Sequence, residues 1–140
     1  MVLEFEVPGK PFGKQRPRVV NGHAFTPKET QMFENLIKVM FQTAYPDHIP
    51  VSTGLRMEVI AVYPIPESWS KKKKMKAAAH LVHPTKPDWD NVGKIVSDAL
   101  NQIAYVDDAQ IYDAHVYKEY GLRPGIQVRL EINDVTEVDT

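Results

Sequence analysis

Hydrophobic positions recur along the chain with two periods, and each change of period marks a change of element. Residues 2–7, VLEFEV, set Leu3, Phe5 and Val7 against Glu4 and Glu6, the two-residue period of a half-buried strand that Pro8-Gly9 ends. Pro11, Gly13 and Pro17 then forbid a helix and predict an extended arm, in which Asn21-Gly22 turns a short hairpin between Arg18-Val19-Val20 and His23-Ala24-Phe25. Thr26-Pro27-Lys28-Glu29 reads as a helix start, with Thr26 as cap and Glu29 three residues on as in a capping box. Met32, Phe33, Leu36, Ile37, Met40, Phe41 and Ala44 form that helix's predicted buried stripe, and Tyr45-Pro46 stops it. Residues 54–63 begin by alternating and become continuously apolar, as a central strand does. After Pro64 and Pro66, Ser68 or Ser70 can cap a short helix through WSKKKKMKAAAH, with Trp69 and Met75 as its apolar anchors.

The strongest period lies further on. Val92, Ile95, Val96, Ala99, Leu100 and Ile103 follow the three-and-four spacing of a helix with one buried stripe, with Asp90, Lys94 and Asn101 on its other side. Residues 112–120 predict a strand, 122–125 a turn, and Ile126, Val128, Leu130 and Ile132 alternate with polar residues as a last strand before an acidic tail. This order predicts an α+β domain: a mixed sheet of about four main strands, its last two antiparallel, with helices packed against it.

At 140 residues and 43% hydrophobic, residues 1–140 read as one domain able to bury its own core. The absence of cysteine removes thiolate chemistry, disulfides and Cys-based zinc sites. No stretch approaches the roughly 20 apolar residues needed to span a bilayer, and the N-terminus has no leader pattern, so the expectation is a cytoplasmic protein with no membrane partner.

Charge changes the picture more. The net charge is only −1, but residues 10–86 carry 13 Lys/Arg against 5 Asp/Glu, while residues 87–140 carry 4 against 11. The asymmetry suits a basic surface for a polyanion beside an acidic pocket that needs a cation. Lys14, Arg16 and Arg18 on the arm, Lys71, Lys72, Lys73, Lys74 and Lys76 on the short helix, and Lys86 are the candidate nucleic-acid contacts. A lysine run is as readily a solvated helix face, and it gains meaning from the acidic motif that follows.

That motif is KPDWDNVGKIVSDALNQIAYVDDAQIYD, residues 86–113. Asp88 and Asp90 alternate just ahead of the predicted helix, so that both carboxylates can point one way; Lys94 lies one turn after Asp90, and Asp107-Asp108 follow the far end. Converging carboxylates repel one another until a cation is bound. All-oxygen ligation suits Mg²⁺, with Mn²⁺ as a substitute, and such an ion polarises a phosphoryl oxygen and lowers the pKa of bound water. Lys94 is placed to hold a phosphate or offset charge in the transition state. Each residue also has an ordinary use: Asp90 as a cap, Lys94 in a pair with Asp90 or Asp98, Asp107-Asp108 in a polar turn. His80 and His83, three apart, are weaker metal candidates beside so many carboxylates.

Taken together, KPDWDN, Lys94, the spacer SDALNQIAYV and DDAQI resemble the signature of RusA-type Holliday junction resolvases, endonucleases that cut four-way DNA junctions, and GKQRPR followed by TPKET resembles the opening of many members. The resemblance implies Asp88, Asp90 and Asp108 as metal-binding catalytic carboxylates, with Asp107 a possible fourth, and Lys94 as the catalytic lysine. It also implies a homodimer acting on branched DNA. Trp89 replaces a more usual aliphatic residue, and Gly93 sits inside the helix, either to let a phosphate approach or as neutral variation. Two other functions fit parts of the pattern: a non-catalytic nucleic-acid-binding domain needs the basic residues alone, and a metal-dependent phosphatase on a small ester needs the carboxylates alone.

Overall fold

The computed structural model describes residues 1–15, 18–25 and 27–133. In chain order these form β1 (Val2–Pro8), β2 (Arg18–Val20), β3 (His23–Phe25), α1 (Lys28–Ala44), β4 (Leu55–Tyr63), α2 (Lys71–Ala78), α3 (Trp89–Leu100), a 3₁₀ turn (Asp108–Gln110), β5 (Ile111–Tyr120) and β6 (Gly125–Ile132). The architecture is α+β, as the periodicities predict.

Four strands make one mixed sheet in the order β1-β6-β4-β5, and β2 and β3 form a separate hairpin. β6 lies antiparallel between β1 and β4, and β5 pairs parallel with β4 along the far edge. The last two strands therefore run antiparallel, as expected, but do not touch, because β4 separates them. Phe5, Val128, Val59 and Val116 stand in one row across the four strands, with Leu3, Leu130 and Met57 in a neighbouring row. These rows face α1 and α3, which pack on each other and on the sheet. The opposite face is polar: Arg129 Nε donates to Glu4 Oε1 at 3.2 Å across the β1–β6 pair. A sheet covered on one side needs two-residue alternation, which β1 and β6 keep throughout.

The predicted stripe of α3 is buried at Val92, Ile95, Val96, Ala99 and Leu100, with Ile103 packed against the same core. α1 buries Phe33, Ile37 and Phe41, with Leu36 and Met40 partly covered, but Met32 and Ala44 are exposed because they lie at the margins of the stripe. Its helical hydrogen bonds begin with Gln31 N–H donating to the Pro27 carbonyl, so Pro27 itself is the boundary residue; Thr26 lies outside the described residues. Asn21 and Gly22 both take positive φ (52° and 79°), the two-residue turn that joins right-twisted strands. Ser70 is the cap of α2, its hydroxyl accepting from Lys73 N–H at 3.2 Å. Met75 is exposed, and the helix is anchored by buried Ala77 and by Trp69, which meets Tyr120 edge-on at 5.2 Å.

Because β4 and β5 are parallel, the chain must cross from the end of one to the start of the other. That crossover, residues 64–110, carries α2, α3 and the acidic motif up to Gln110; the motif's last three residues open β5.

Candidate active site

α3 begins at Trp89, three residues earlier than its apolar stripe suggests. Asp88 is its capping residue, in extended geometry, and Asp90 belongs to the first turn, not to the segment ahead of the helix. Neither carboxylate caps by a side-chain hydrogen bond: Asp88 instead accepts from Lys86 Nζ at 3.2 Å, half exposed, and Asp90 is exposed. Negative charge in a first helical turn is favourable, so the helix itself tolerates both.

The segment that carries Asp88 is held from two sides. Lys118 of β5 donates to the Pro87 carbonyl at 2.9 Å. On the other side the arm lies flat across the start of α3, where Lys14 N–H donates to the Asn91 carbonyl at 2.8 Å. A Cβ added at Gly13 would stand 2.6 Å from Pro87 Cβ and 3.1 Å from Asn91 Cβ, so only glycine permits this approach. Phe12 seats the arm on α1 through the ring of Phe33, 5.7 Å away. The result is a cleft of about 650 Å³ with Lys10, Lys14 and Lys86 on its walls beside Asp88 and Asp90. The basic and acidic halves of the chain meet there.

At the far end of α3, Leu100 is followed by a loop stapled to residues 48–53. Buried Tyr105 donates its hydroxyl to the Ser97 carbonyl at 2.7 Å, and His48 Nε2 lies 2.9 Å from the Ala104 carbonyl. Gln110 then fixes the acidic pair: its Nε2 donates to the carbonyls of Val51 and Thr53, both at 2.8 Å, while its Oε1 accepts from Asp107 N–H at 2.9 Å. The Asp107 carboxylate accepts from Ala109 N–H at 3.1 Å, and Asp108 N–H donates to Asn101 Oδ1 at 3.2 Å. Asp107 is thus engaged as a cap. Burial, then hydrogen bonding with Asp107 and its charge, push the Asp108 carboxyl above the usual carboxylate range; Lys94 opposes the rise and Asp98 adds to it.

Lys94 projects outward, and of its two four-residue neighbours it pairs with Asp98, at 3.2 Å, and not with Asp90. Asp98 also receives Lys14 Nζ, at 3.3 Å, and Lys14 is hydrogen-bonded to Glu34 of α1. Burial works against the Lys14 charge, but Glu34 and then Asp98 outweigh it and hold the ammonium above the usual lysine range. Among the described residues, no three carboxylate or imidazole side chains stand close enough together to hold one metal ion. The charges of Asp107, Lys94 and Asp98 all act on Asp108 beyond the C-terminal end of α3, whereas Asp88 and Asp90 stand at its start, and the three candidate ligands are not closed into one cage among the described residues.

The remaining candidates are spread. Lys71, Lys72, Lys73 and Lys76 are exposed on α2, Lys74 is half-buried there, and Lys73 Nζ lies 3.9 Å from the centre of the Trp69 ring. Of the cleft lysines, Lys86 is far more exposed than Lys14. Arg16 lies outside the described residues, and Arg18 is placed by its backbone in β2. Gly93 faces β5, where a Cβ would meet Val116 Cγ2 at 3.2 Å; close helix–strand packing, not phosphate approach, accounts for it. His80 and His83 turn to Glu119 and Tyr117 of β5 and away from a shared site. Gln110, Asp98, Glu34 and Lys10 were not distinguishable as site residues from spacing, except that Asp98 stands four after Lys94.

No helix among the described residues is long and apolar enough to cross a membrane. The chain is similar to an uncharacterized protein of Bacillus subtilis strain 168, YqaN, at 37% identity over 135 residues, covering 91% of this chain and 94% of that one. Residues 8–131 match the family described as endodeoxyribonuclease RusA, a span that includes the arm, the cleft and both acidic ends of α3. On that match, and on a four-stranded α+β architecture that carries its motif in the β4–β5 crossover, the chain belongs to the RusA family of endodeoxyribonucleases.

Proposed function

We propose that the protein is a divalent-metal-dependent endonuclease that resolves four-way DNA junctions as a homodimer, with Asp88, Asp90 and Asp108 as metal ligands and Lys94 as the catalytic cation. The observation that supports this most directly is the joining, along one helix, of a lysine-walled cleft at Asp88 and Asp90 to the Asp108 carboxyl, whose ionisation its surroundings disfavour. The donor set fits a hard cation: every candidate is a carboxylate, and Asp88 and Asp90 are both exposed, Asp88 with Lys86 as its partner. Mg²⁺ is the preferred ion and Mn²⁺ a substitute. Held by those carboxylates, with Asp107 at its edge, it would supply Lewis acidity towards a phosphoryl oxygen and acidify a bound water.

The chain's own groups do the rest. Lys10 and Lys86 draw the phosphodiester backbone into the cleft, and Lys94, a compact ammonium on an outward-facing stem, offsets the charge that builds on the phosphoryl oxygens. Water adds to phosphorus and one P–O ester bond breaks, leaving a phosphomonoester and a free hydroxyl. Two opposed strands must be cut to resolve a junction, and each chain supplies one acidic site, so an isologous dimer places two sites across the junction's axis.

The reading is tested by incubating the protein with a synthetic four-way junction and a matched linear duplex, with Mg²⁺ or with EDTA. Paired cuts in the junction alone, lost in EDTA, are expected; equal cutting of both substrates, or cutting in EDTA, overturns it. The DNA surface has its own test. Replacing Lys71, Lys72, Lys73 and Lys74 with Gln should lower the log–log salt slope of junction binding by about 0.9 for each phosphate contact removed. Arg18→Gln and Arg16→Gln should act in the same direction, and a fourfold lysine variant with an unchanged slope means that α2 is only a solvated face.

A further inference from the structure

We propose that Asp98 is a positioning residue for Lys94, held in place from behind by Lys14 and Glu34. The inference rests on the reading of Lys94 as the catalytic cation, and it changes the part assigned to Lys14.

An exposed lysine has large rotamer freedom, and a lone pair at four-residue spacing on a helix does little to restrict it. Lys94 is 60% exposed, and its hydrogen-bonding partner among the described residues is Asp98 Oδ1. What sets this pair apart is the state of the carboxylate. Asp98 is only 21% exposed, and its second oxygen lies 3.3 Å from Lys14 Nζ. Lys14 in turn is tied to Glu34 of α1 by its side chain and to Asn91 of α3 by its backbone. Four alternating charges, Glu34, Lys14, Asp98 and Lys94, therefore run from α1 through the arm to the outward face of α3. Three are largely covered, and the fourth is the one that faces solvent.

Two consequences follow from this order of charges. A carboxylate clamped on one oxygen cannot swing, so the other oxygen gives the Lys94 ammonium a fixed anchor. A carboxylate shared between two ammonium groups also neutralises each only in part, so Lys94 keeps charge to offer a phosphate. Lys14, with two carboxylates already on its ammonium, acts through Asp98 and not as a phosphate contact.

The test compares single-turnover junction cleavage, junction affinity and Tm for wild type, Asp98→Asn, Asp98→Glu, Lys14→Met and Lys94→Ala. Misplacing a catalytic group by about 1 Å can cost on the order of 100-fold. Asp98→Asn is expected to cut about 10- to 100-fold more slowly with affinity and Tm near wild type. Asp98→Glu, which keeps a carboxylate within reach of both ammonium groups, should recover most of the rate, and Lys14→Met should slow cutting while leaving the salt slope of binding unchanged. Wild-type cutting by Asp98→Asn, or a loss of affinity that accounts for its whole defect, overturns the proposal, as does a reduced salt slope in Lys14→Met. If Lys94→Ala itself cuts at the wild-type rate, it is the functional reading of Lys94 that fails, whatever Asp98 does.

Discussion

Asp88→Asn, Asp90→Asn and Asp108→Asn are each expected to abolish junction cutting while leaving junction binding largely intact. Each change keeps the size of the side chain and removes one ligand charge, and a catalytic metal contributes several kcal/mol of transition-state stabilisation, about 10³-fold or more in rate. The lysines of the cleft and of α2 are untouched, so affinity should survive. Single-turnover cleavage and gel-shift titration on one junction separate the two quantities, and near-normal cutting by any two of the variants removes the assignment. Asp108→Asn carries a second expectation with the opposite sign. The folded chain holds the Asp108 carboxyl above its unfolded value of 3.8, so the folded state takes up that proton first as pH falls. Above the folded pKa the carboxylate costs stability, and the cost fades as pH falls through the folded pKa towards 3.8. In chelator at pH 7, Asp108→Asn should therefore melt at a higher temperature than wild type, with the gap closing in acid. A lower Tm at pH 7 would show that the carboxylate is stabilised where it stands.

Mixed dimers of wild-type and Asp90→Asn chains are expected to nick one strand of a junction and seldom both. On the proposed reading each chain carries one acidic site, and in-line attack on two opposed strands needs two sites related by the junction's own two-fold symmetry. Losing one site converts resolution into nicking. Co-expression with two affinity tags isolates the mixed species, and end-labelling each strand counts the cuts per junction. Paired cuts at wild-type frequency, or an active monomer by sedimentation, would rule out the dimeric arrangement. The family match decides between nuclease and plain binding domain at the level of class, and the EDTA comparison decides it for this chain.

Much of this protein follows from local order along the chain. Alternation in VLEFEV and in residues 126–132 determined two strands and which side of each is buried, because side chains on a strand can only alternate. The stripe from Val92 to Leu100 determined α3, Asn21-Gly22 determined the hairpin turn, and the acidic motif pointed to its family from residues 86–111 alone. Only the tertiary structure decided what depends on contacts distant in sequence. β6 slips between β1 and β4, although β5 and β6 are neighbours in the chain; sheet order is set by which apolar faces meet, not by the period of any one strand. Asp88 and Asp90 belong to the start of a helix because the arm and Lys118 support that turn from outside. Lys14 reads as a free cation on a basic arm, yet in the fold it is claimed by Glu34, 20 residues away, and by Asp98, on another helix. Gln110 gives no charge or period to notice, and it orders the acidic pair only because β4's approach loop supplies two carbonyls for its amide. A side chain's partners depend on folding, whereas its periodicity exists before it.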